Sequence, residues 1–337
     1  MSARRIRTYH EVADPGAENI LAQVVEQNER LAARLGQVGR LVIVASGKGG
    51  VGKSAIAANL AAALATLGRR VGAVDADLNG PTLARMLGAN GQSLRVGSEG
   101  AEPAEGAAGV RVVSMDLLLA ADDAPLRWRQ PDAPEFLWQS LLEGGVLREL
   151  LSDIRWGELD YLLIDAPPGA DKIARLLQLV PQADTLLLVT TPSEAARFIV
   201  AKSERLAREA GAREIGLVVN MSAHVCEACG HHTPLFDDGA AGLGEVEAEI
   251  ADGAGFQASP SQPRPAGGRS GVGDGATALN AVGRSDVSKT TGVWAEVPFD
   301  RRLAVATDRG SPFVLVRPDS PASRAIIQLA DRLEGER

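Results

Sequence analysis

The residues with the most chemical content run from Gly47 to Ser54, in the order Gly-Lys-Gly-Gly-Val-Gly-Lys-Ser. They satisfy G-x-x-x-x-G-K-[ST], the spacing that wraps backbone N–H groups around phosphate oxygens. Gly47, Gly49, Gly50 and Gly52 let the chain approach a ligand closely, with Lys48 and Val51 between them. Lys53 is placed to neutralise β- and γ-phosphates, and Ser54 to ligate Mg²⁺. Gly47, Gly49 and Gly52 also spell G-x-G-x-x-G, which with Asp75 and Asp77 downstream reads as a dinucleotide fingerprint. Lys53 and Ser54 decide between the two, because a pyrophosphate-only site needs neither the lysine nor a magnesium-binding hydroxyl. Asp165 closes the apolar run YLLI, where an acid on a neighbouring strand would hold magnesium directly or through water.

A second constellation is HVCEACGHH, with Cys226 and Cys229 two residues apart and His224, His231 and His232 beside them. A redox dithiol would open a helix in a thioredoxin-like βαβ context, which is missing. Zinc needs four ligands, and no second C-x-x-C exists, although both cysteines with a histidine supply three. Two such pairs brought together by two chains give the Cys₄ set of a [4Fe–4S] cluster. Inert buried cysteines are disfavoured by the polar Glu, Gly and His neighbours. Spacing alone leaves zinc and iron–sulfur open.

These residues must be held by a repeating framework. LVIVA (41–45) is short, lacks polar alternation and runs into the glycines, as a parallel strand buried on both faces does. Ala55–Leu67 reads as a small-residue helix ended by Gly68. Further strands are expected at 71–77, 110–115, 160–166, 185–191, 215–220, 292–297 and in FVLV (313–316). Helices are expected at 17–36, 137–152, 171–180 and 194–210, with a terminal helix capped by Ser320 and opened by Pro321. Alternating strands and helices predict an α/β fold, a mostly parallel sheet with helices on both faces in three layers. The expected organisation is a helical extension over 1–39, a P-loop ATPase domain over 40–236 and 292–337, and an insertion over 237–291. That insertion holds 11 Gly, 3 Pro and 5 Ser and almost no apolar period, so it reads as a flexible linker. It follows the cysteine pair directly, placed to mask that site or recruit a partner.

Composition removes several function classes. The 337 residues carry a net charge of -8 and only 4% aromatics, which argues against a phosphate-backbone grip or a base-stacking platform. No apolar run approaches the roughly 18 residues that cross a bilayer. The basic N-terminus lacks the apolar core of a secretory signal. Two closely spaced cysteines suit a reducing compartment. The expectation is a cytoplasmic protein without nucleic-acid or membrane partners.

The motifs go beyond a generic phosphate loop. Lys48 makes it the deviant Walker A of the MinD/ParA superfamily. With DADLNGPTLARMLG (75–88), DYLLIDAPPG (160–169), VTTPSEAA (189–196), VVNMS (218–222), CEACG (226–230) and VPFDRRL (297–303) in order, the chain resembles the Mrp (ApbC-like) ATP-binding iron–sulfur cluster carriers. The resemblance implies an ATPase that shares a [4Fe–4S] cluster across a homodimer through Cys226 and Cys229 and passes it to apo iron–sulfur proteins. It implies that Lys48 reaches the partner's phosphates as an arginine finger does, and that Asp77 positions the attacking water. Pro167, Pro168 and Gly169 match the switch that couples nucleotide state to dimer shape. Asn220 and the Pro298–Asp300 loop match adenine contacts. The alternative within the superfamily is a positioning or partition ATPase. The C-terminal RAIIQLADRLEGER has mixed charge and reads as a packing helix, not as a membrane-targeting tail.

The chain departs from the family pattern in four places. Trp128-Arg-Gln-Pro131 stands for the usual W-R-G-P, and Ala55 replaces the common Thr. The switch, Pro167-Pro-Gly-Ala-Asp171, is one residue short. The small N-terminal domain of many members is expected to be absent. The shortened switch removes a hydroxyl and a glycine beside the γ-phosphate, predicting slow or differently coupled hydrolysis.

Overall fold

The computed structural model describes residues 17–78, 80–97, 100–118, 135–226, 229–235 and 292–335. The expected insertion and Trp128–Pro131 lie outside these residues.

In chain order, α1 (Ala17–Leu35) leads into β1 (Val38–Ala45), the phosphate loop and α2 (Lys53–Thr66). β2 (Val71–Asp75) and the one-turn α3 (Leu83–Met86) follow, then the short strands β3 (Arg95–Gly97), β4 (Gly100–Glu102), β5 (Ala104–Glu105) and β6 (Arg111–Val113). The next elements are α4 (Glu135–Asp153), β7 (Leu159–Asp165), α5 (Ala170–Leu179), β8 (Thr185–Thr190) and α6 (Glu194–Glu209). The remainder is β9 (Glu214–Val225), β10 (His232–Pro234), β11 (Gly292–Phe299), α7 (Arg301–Asp308), α8 (Phe313–Val316) and α9 (Pro321–Gly335).

Among the described residues one nine-stranded sheet runs β10-β9-β8-β1-β7-β2-β6-β5, with β11 along β9. Pairing is parallel except at β10 and β5. Every residue of Leu41–Ala45, Val71–Asp75 and Thr185–Thr190 is buried. Successive side chains on a strand point to opposite faces, so both faces of the sheet are covered. The alanines of α2 let that helix pack tightly, and it is buried from Ile56 to Leu64. α1 packs on α4, with Leu31 and Leu35 in the core. Val38 and Gly39, placed by the sequence reading in the N-terminal extension, are the first residues of β1 and pair with β7 from Leu159.

The terminal helix is bound to the sheet by its apolar face, where Ile326, Leu329, Ala330 and Leu333 are buried. At its end the Leu333 carbonyl accepts hydrogen bonds from Arg40 (2.6 Å) and from the Tyr161 hydroxyl (3.3 Å). Ser320 caps its start, the hydroxyl accepting from the Ser323 N–H at 3.1 Å. No helix among the described residues is long and apolar enough to cross a membrane.

Two expectations need correction. FVLV is the short helix α8, not a strand. Asn59, fully buried in α2, accepts the Val314 N–H at 3.1 Å, and the Arg317 N–H closes the turn onto the Phe313 carbonyl. A four-residue apolar run carries no period that separates the two structures. The strand expected at 215–220 continues to Val225, because β11 and then β10 pair with residues whose polarity hides them from a hydrophobicity reading.

Candidate functional site

The strands place their chemistry at their carboxyl ends. β1 lies between β7 and β8, so the chain's connections leave in opposite directions from it and a crevice opens there. The phosphate loop fills this crevice. Gly50 and Gly52 have φ of 80° and 82°, the left-handed region open to glycine. Lys48, Gly49 and Gly50 are exposed, whereas Val51 and Lys53 are buried. No acidic side chain sits in the first turn of α2 and none caps it, so its leading N–H groups and positive dipole end face the loop.

Lys53 opens α2, and its ammonium forms a buried ion pair with Oδ1 of Asp165 at the end of β7. It also donates to the Ser54 hydroxyl at 3.3 Å. The other oxygen of Asp165, Oδ2, is buried without a hydrogen-bond partner. A buried carboxylate oxygen without a donor is costly unless a cation completes it. Asp165 and the Ser54 hydroxyl are hard oxygen ligands of the kind magnesium takes, so the residues present fit that ion. Burial pushes the Asp165 carboxyl up, against the Lys53 ammonium and the Ser54 hydroxyl.

Asp75 and Asp77 have different surroundings. Asp75 is buried and accepts three backbone N–H groups, from Asp77 (3.0 Å), Thr82 (2.7 Å) and Leu83 (2.9 Å). Burial first and the Asp165 carboxylate second push it up to about 8, although those donors work the other way. It therefore fixes the loop that carries Asp77. Asp77 is half-buried, and its carboxylate accepts the Gly80 N–H at 3.3 Å. On the opposite side, the Gly169 N–H donates to the Ser46 carbonyl at 3.0 Å, tying the Pro167–Gly169 segment to the start of the phosphate loop. The Ser46 hydroxyl is buried without a partner. The sequence reading missed Ser46, because a lone serine before a glycine run carries no signal of its own.

Asn220 reaches the phosphate loop directly. Its amide Nδ2 donates to the Val51 carbonyl at 2.8 Å. Pro298 and Asp300 lie further along β11 and its exit, where Val297 pairs with Asn220. Asp300 caps α7, and its carboxylate accepts the Arg302 N–H and guanidinium at 2.8–2.9 Å. That guanidinium holds the carboxyl below the usual range. Both Pro298 and Asp300 line a cleft of about 990 Å³ that Cys226, His224 and His232 also line.

The cysteines sit on the hairpin that joins β9 to β10. The Cys226 N–H donates to the His231 carbonyl at 2.9 Å, and its carbonyl accepts from the Gly230 N–H at 2.8 Å. Cys226 is half-buried, Cys229 is exposed, and neither forms a disulfide. Among the described residues no group of three His, Cys, Asp or Glu side chains is assembled for a metal ion.

A lysine that opens a helix and reaches the strand-end acid of the next strand but for one ligand oxygen left over is the arrangement of a P-loop nucleoside triphosphatase. The chain is a ParA-type P-loop NTPase within that class. A family model described as ParA, NUBPL iron-transfer P-loop NTPase, matches residues 37–251. The "Iron-sulfur cluster carrier protein" of Saccharolobus solfataricus is 36% identical over 86% of this chain and 81% of its own length. The bovine "Cytosolic Fe-S cluster assembly factor NUBP2" is 33% identical over 90% of this chain and 94% of its own. Among solved structures, a nucleotide-binding protein of Archaeoglobus fulgidus in complex with ADP superposes with a TM-score of 0.61 at 29% identity, covering 85% of this chain and 92% of that one. The septum site-determining protein MinD of Pyrococcus horikoshii, with Mg-ADP, gives 0.52 at 19% identity over 88% and 96%, which shows the shared fold. The chain belongs to the iron-transfer P-loop NTPase family of iron–sulfur cluster carriers and assembly factors.

Proposed function

We propose that this protein binds ATP with Mg²⁺ in the Gly47–Ser54 loop and carries a [4Fe–4S] cluster between the Cys226–Cys229 pairs of two identical chains. It then delivers the cluster to apo iron–sulfur proteins of the cytoplasm. The observation that carries this reading is the continuity of β9: Asn220 on that strand touches the phosphate loop, and Cys226 follows its last residue. The relatives named as cluster carriers and assembly factors support the cargo.

In the resting chain the Lys53 ammonium is spent on Asp165. An incoming triphosphate offers Lys53 a second anion, and Asp165 is then free to serve the cation side with both oxygens. Magnesium, when bound by Ser54 and Asp165, supplies charge neutralisation at the β- and γ-phosphates. Backbone N–H groups of Gly49 to Ser54 hold the phosphates. Asp77, fixed by the Asp75 anchor, orients the attacking water. Lys48, exposed on the loop, stabilises transition-state charge in the partner's site. Asn220 and Pro298 border the base. The cluster is cargo, and thiolates from two chains hold it only while the chains meet.

The membrane form of the positioning-ATPase alternative gains no support from α9, whose apolar face is packed in the core. Anaerobic reconstitution tests the proposal. The expected result is an iron-to-sulfide ratio near one, dimers on gel filtration, and transfer to an apo-protein, all lost on Cys226→Ser or Cys229→Ser. Tightly held zinc in a monomer, with no iron taken up, overturns it.

A further inference from the structure

Between the phosphate loop and the cysteine hairpin, β9 carries an irregularity that neither site requires for itself. Met221 has φ of +57°, one of two non-glycine residues in the left-handed region among those described. An L side chain there is disfavoured by contact between Cβ and the following carbonyl, so the surroundings must hold it. The pairing with β11 shifts at the same point, from Val297–Asn220 to Phe299–His224. Two steps on β11 thus face four on β9, which is a bulge.

This bulge is clamped to the phosphate loop. Asn220 is buried and donates to the Val51 carbonyl at 2.8 Å. A Cβ built on Gly52 would lie 2.3 Å from the Asn220 amide nitrogen and 3.9 Å from the Met221 methyl. Loop and bulge are therefore in direct contact. Beyond the bulge the strand is short and ends at Val225, and the N–H and carbonyl of the following Cys226 are both locked into the hairpin.

Resting on the reading of the loop as a nucleotide site, we infer that Met221 is a positioning residue: its left-handed backbone lets β9 relay closure of the phosphate loop, through Asn220, to the cysteine hairpin. A ligand that draws the Val51 and Gly52 backbone toward phosphate moves the acceptor of the Asn220 amide. The bulge can take up that movement because its extra residues interrupt the pairing ladder. A regular strand is too stiff to do so. The signal reaches the thiols within one chain, before any contact between chains.

The test reads thiol alkylation in metal-free full-length protein, with and without Mg²⁺ and a non-hydrolysable ATP analogue. Nucleotide binding is measured separately by calorimetry. In the native chain the analogue is expected to change the iodoacetamide rate at Cys226 severalfold. Met221→Val, whose β-branched side chain opposes positive φ, is expected to abolish that response while binding the analogue as before. Met221→Gly, which accepts the same backbone, is expected to keep it. A nucleotide response that survives in Met221→Val, or that disappears equally in Met221→Gly, overturns the relay. A native chain that binds the analogue with no change in alkylation rate also overturns it. Failure to bind the analogue at all counts against the nucleotide reading itself, and so is distinguishable.

Discussion

Asp75 and Asp165 are register partners at the carboxyl ends of the adjacent parallel strands β2 and β7, and both are buried. Their carboxylates are stabilised differently. Asp75 is surrounded by backbone N–H groups, whereas Asp165 faces the Lys53 ammonium and keeps one oxygen without a donor. Two acids so placed repel each other, and that repulsion is tolerable because each has its own source of positive potential. The loop-anchoring role thus goes to one and the cation-facing role to the other.

Exchanging the second acid separates binding from turnover. Asp165→Asn removes the negative charge that pairs with Lys53 and replaces one carboxylate oxygen with an amide nitrogen. Its ATPase rate is expected to fall about a hundredfold, measured by phosphate release, and nucleotide affinity is expected to lose its dependence on Mg²⁺. An affinity that remains magnesium-dependent would place the ion elsewhere.

The two raised carboxyls make stability depend on pH. A folded pKa above the unfolded value means that the folded state keeps a proton the unfolded chain has released. The stabilisation is fully present below the unfolded value of 3.8, and for Asp75 it is lost as pH rises through about 8. Asp165 shifts in the same direction. The thermal midpoint of nucleotide-free protein should therefore decline from weakly acidic pH toward pH 8 in circular dichroism melts, and a midpoint that climbs over this range contradicts the assignment.

On the proposed function Lys48 acts across the dimer, so its loss is expected to be repaired in trans. Lys48→Ala is expected to cut turnover about a thousandfold, as removal of an arginine finger does, with nucleotide binding kept. Mixing Lys48→Ala with Asp165→Asn chains regenerates one complete site per mixed dimer. Recovered phosphate release in the mixture is the expected result; none at any ratio would show that Lys48 serves its own site or none.

Gly52 tests the loop packing. A methyl group at this position meets the Asn220 amide at 2.3 Å and must adopt φ of 82°. Gly52→Ala is expected to destabilise the fold by about 1–3 kcal/mol and to weaken nucleotide binding by roughly tenfold or more. Urea unfolding and calorimetry measure the two effects.

Much of this site is written locally. The phosphate loop is legible because its geometry depends on the order of glycines, lysine and serine within eight residues. The strands that flank it are legible because burial on both faces demands unbroken apolar runs. FVLV was misread because four apolar residues fit a helical turn or a strand equally, and the deciding acceptor, Asn59, lies 255 residues away. The far end of β9 was missed because its residues are polar and earn their strand geometry from β10 and β11.

Residue identity and short spacing thus determined the phosphate loop, the cysteine pair and the alternation that produces a parallel sheet, since each depends on neighbours along the chain. Only the tertiary structure decided which acid meets Lys53, 112 residues away, and that Asn220 touches the loop while Asp300 caps a helix. The reason is that strand order and register bring distant residues together. Pairing energy is shared along whole strands, so no single residue records which neighbour its strand will find.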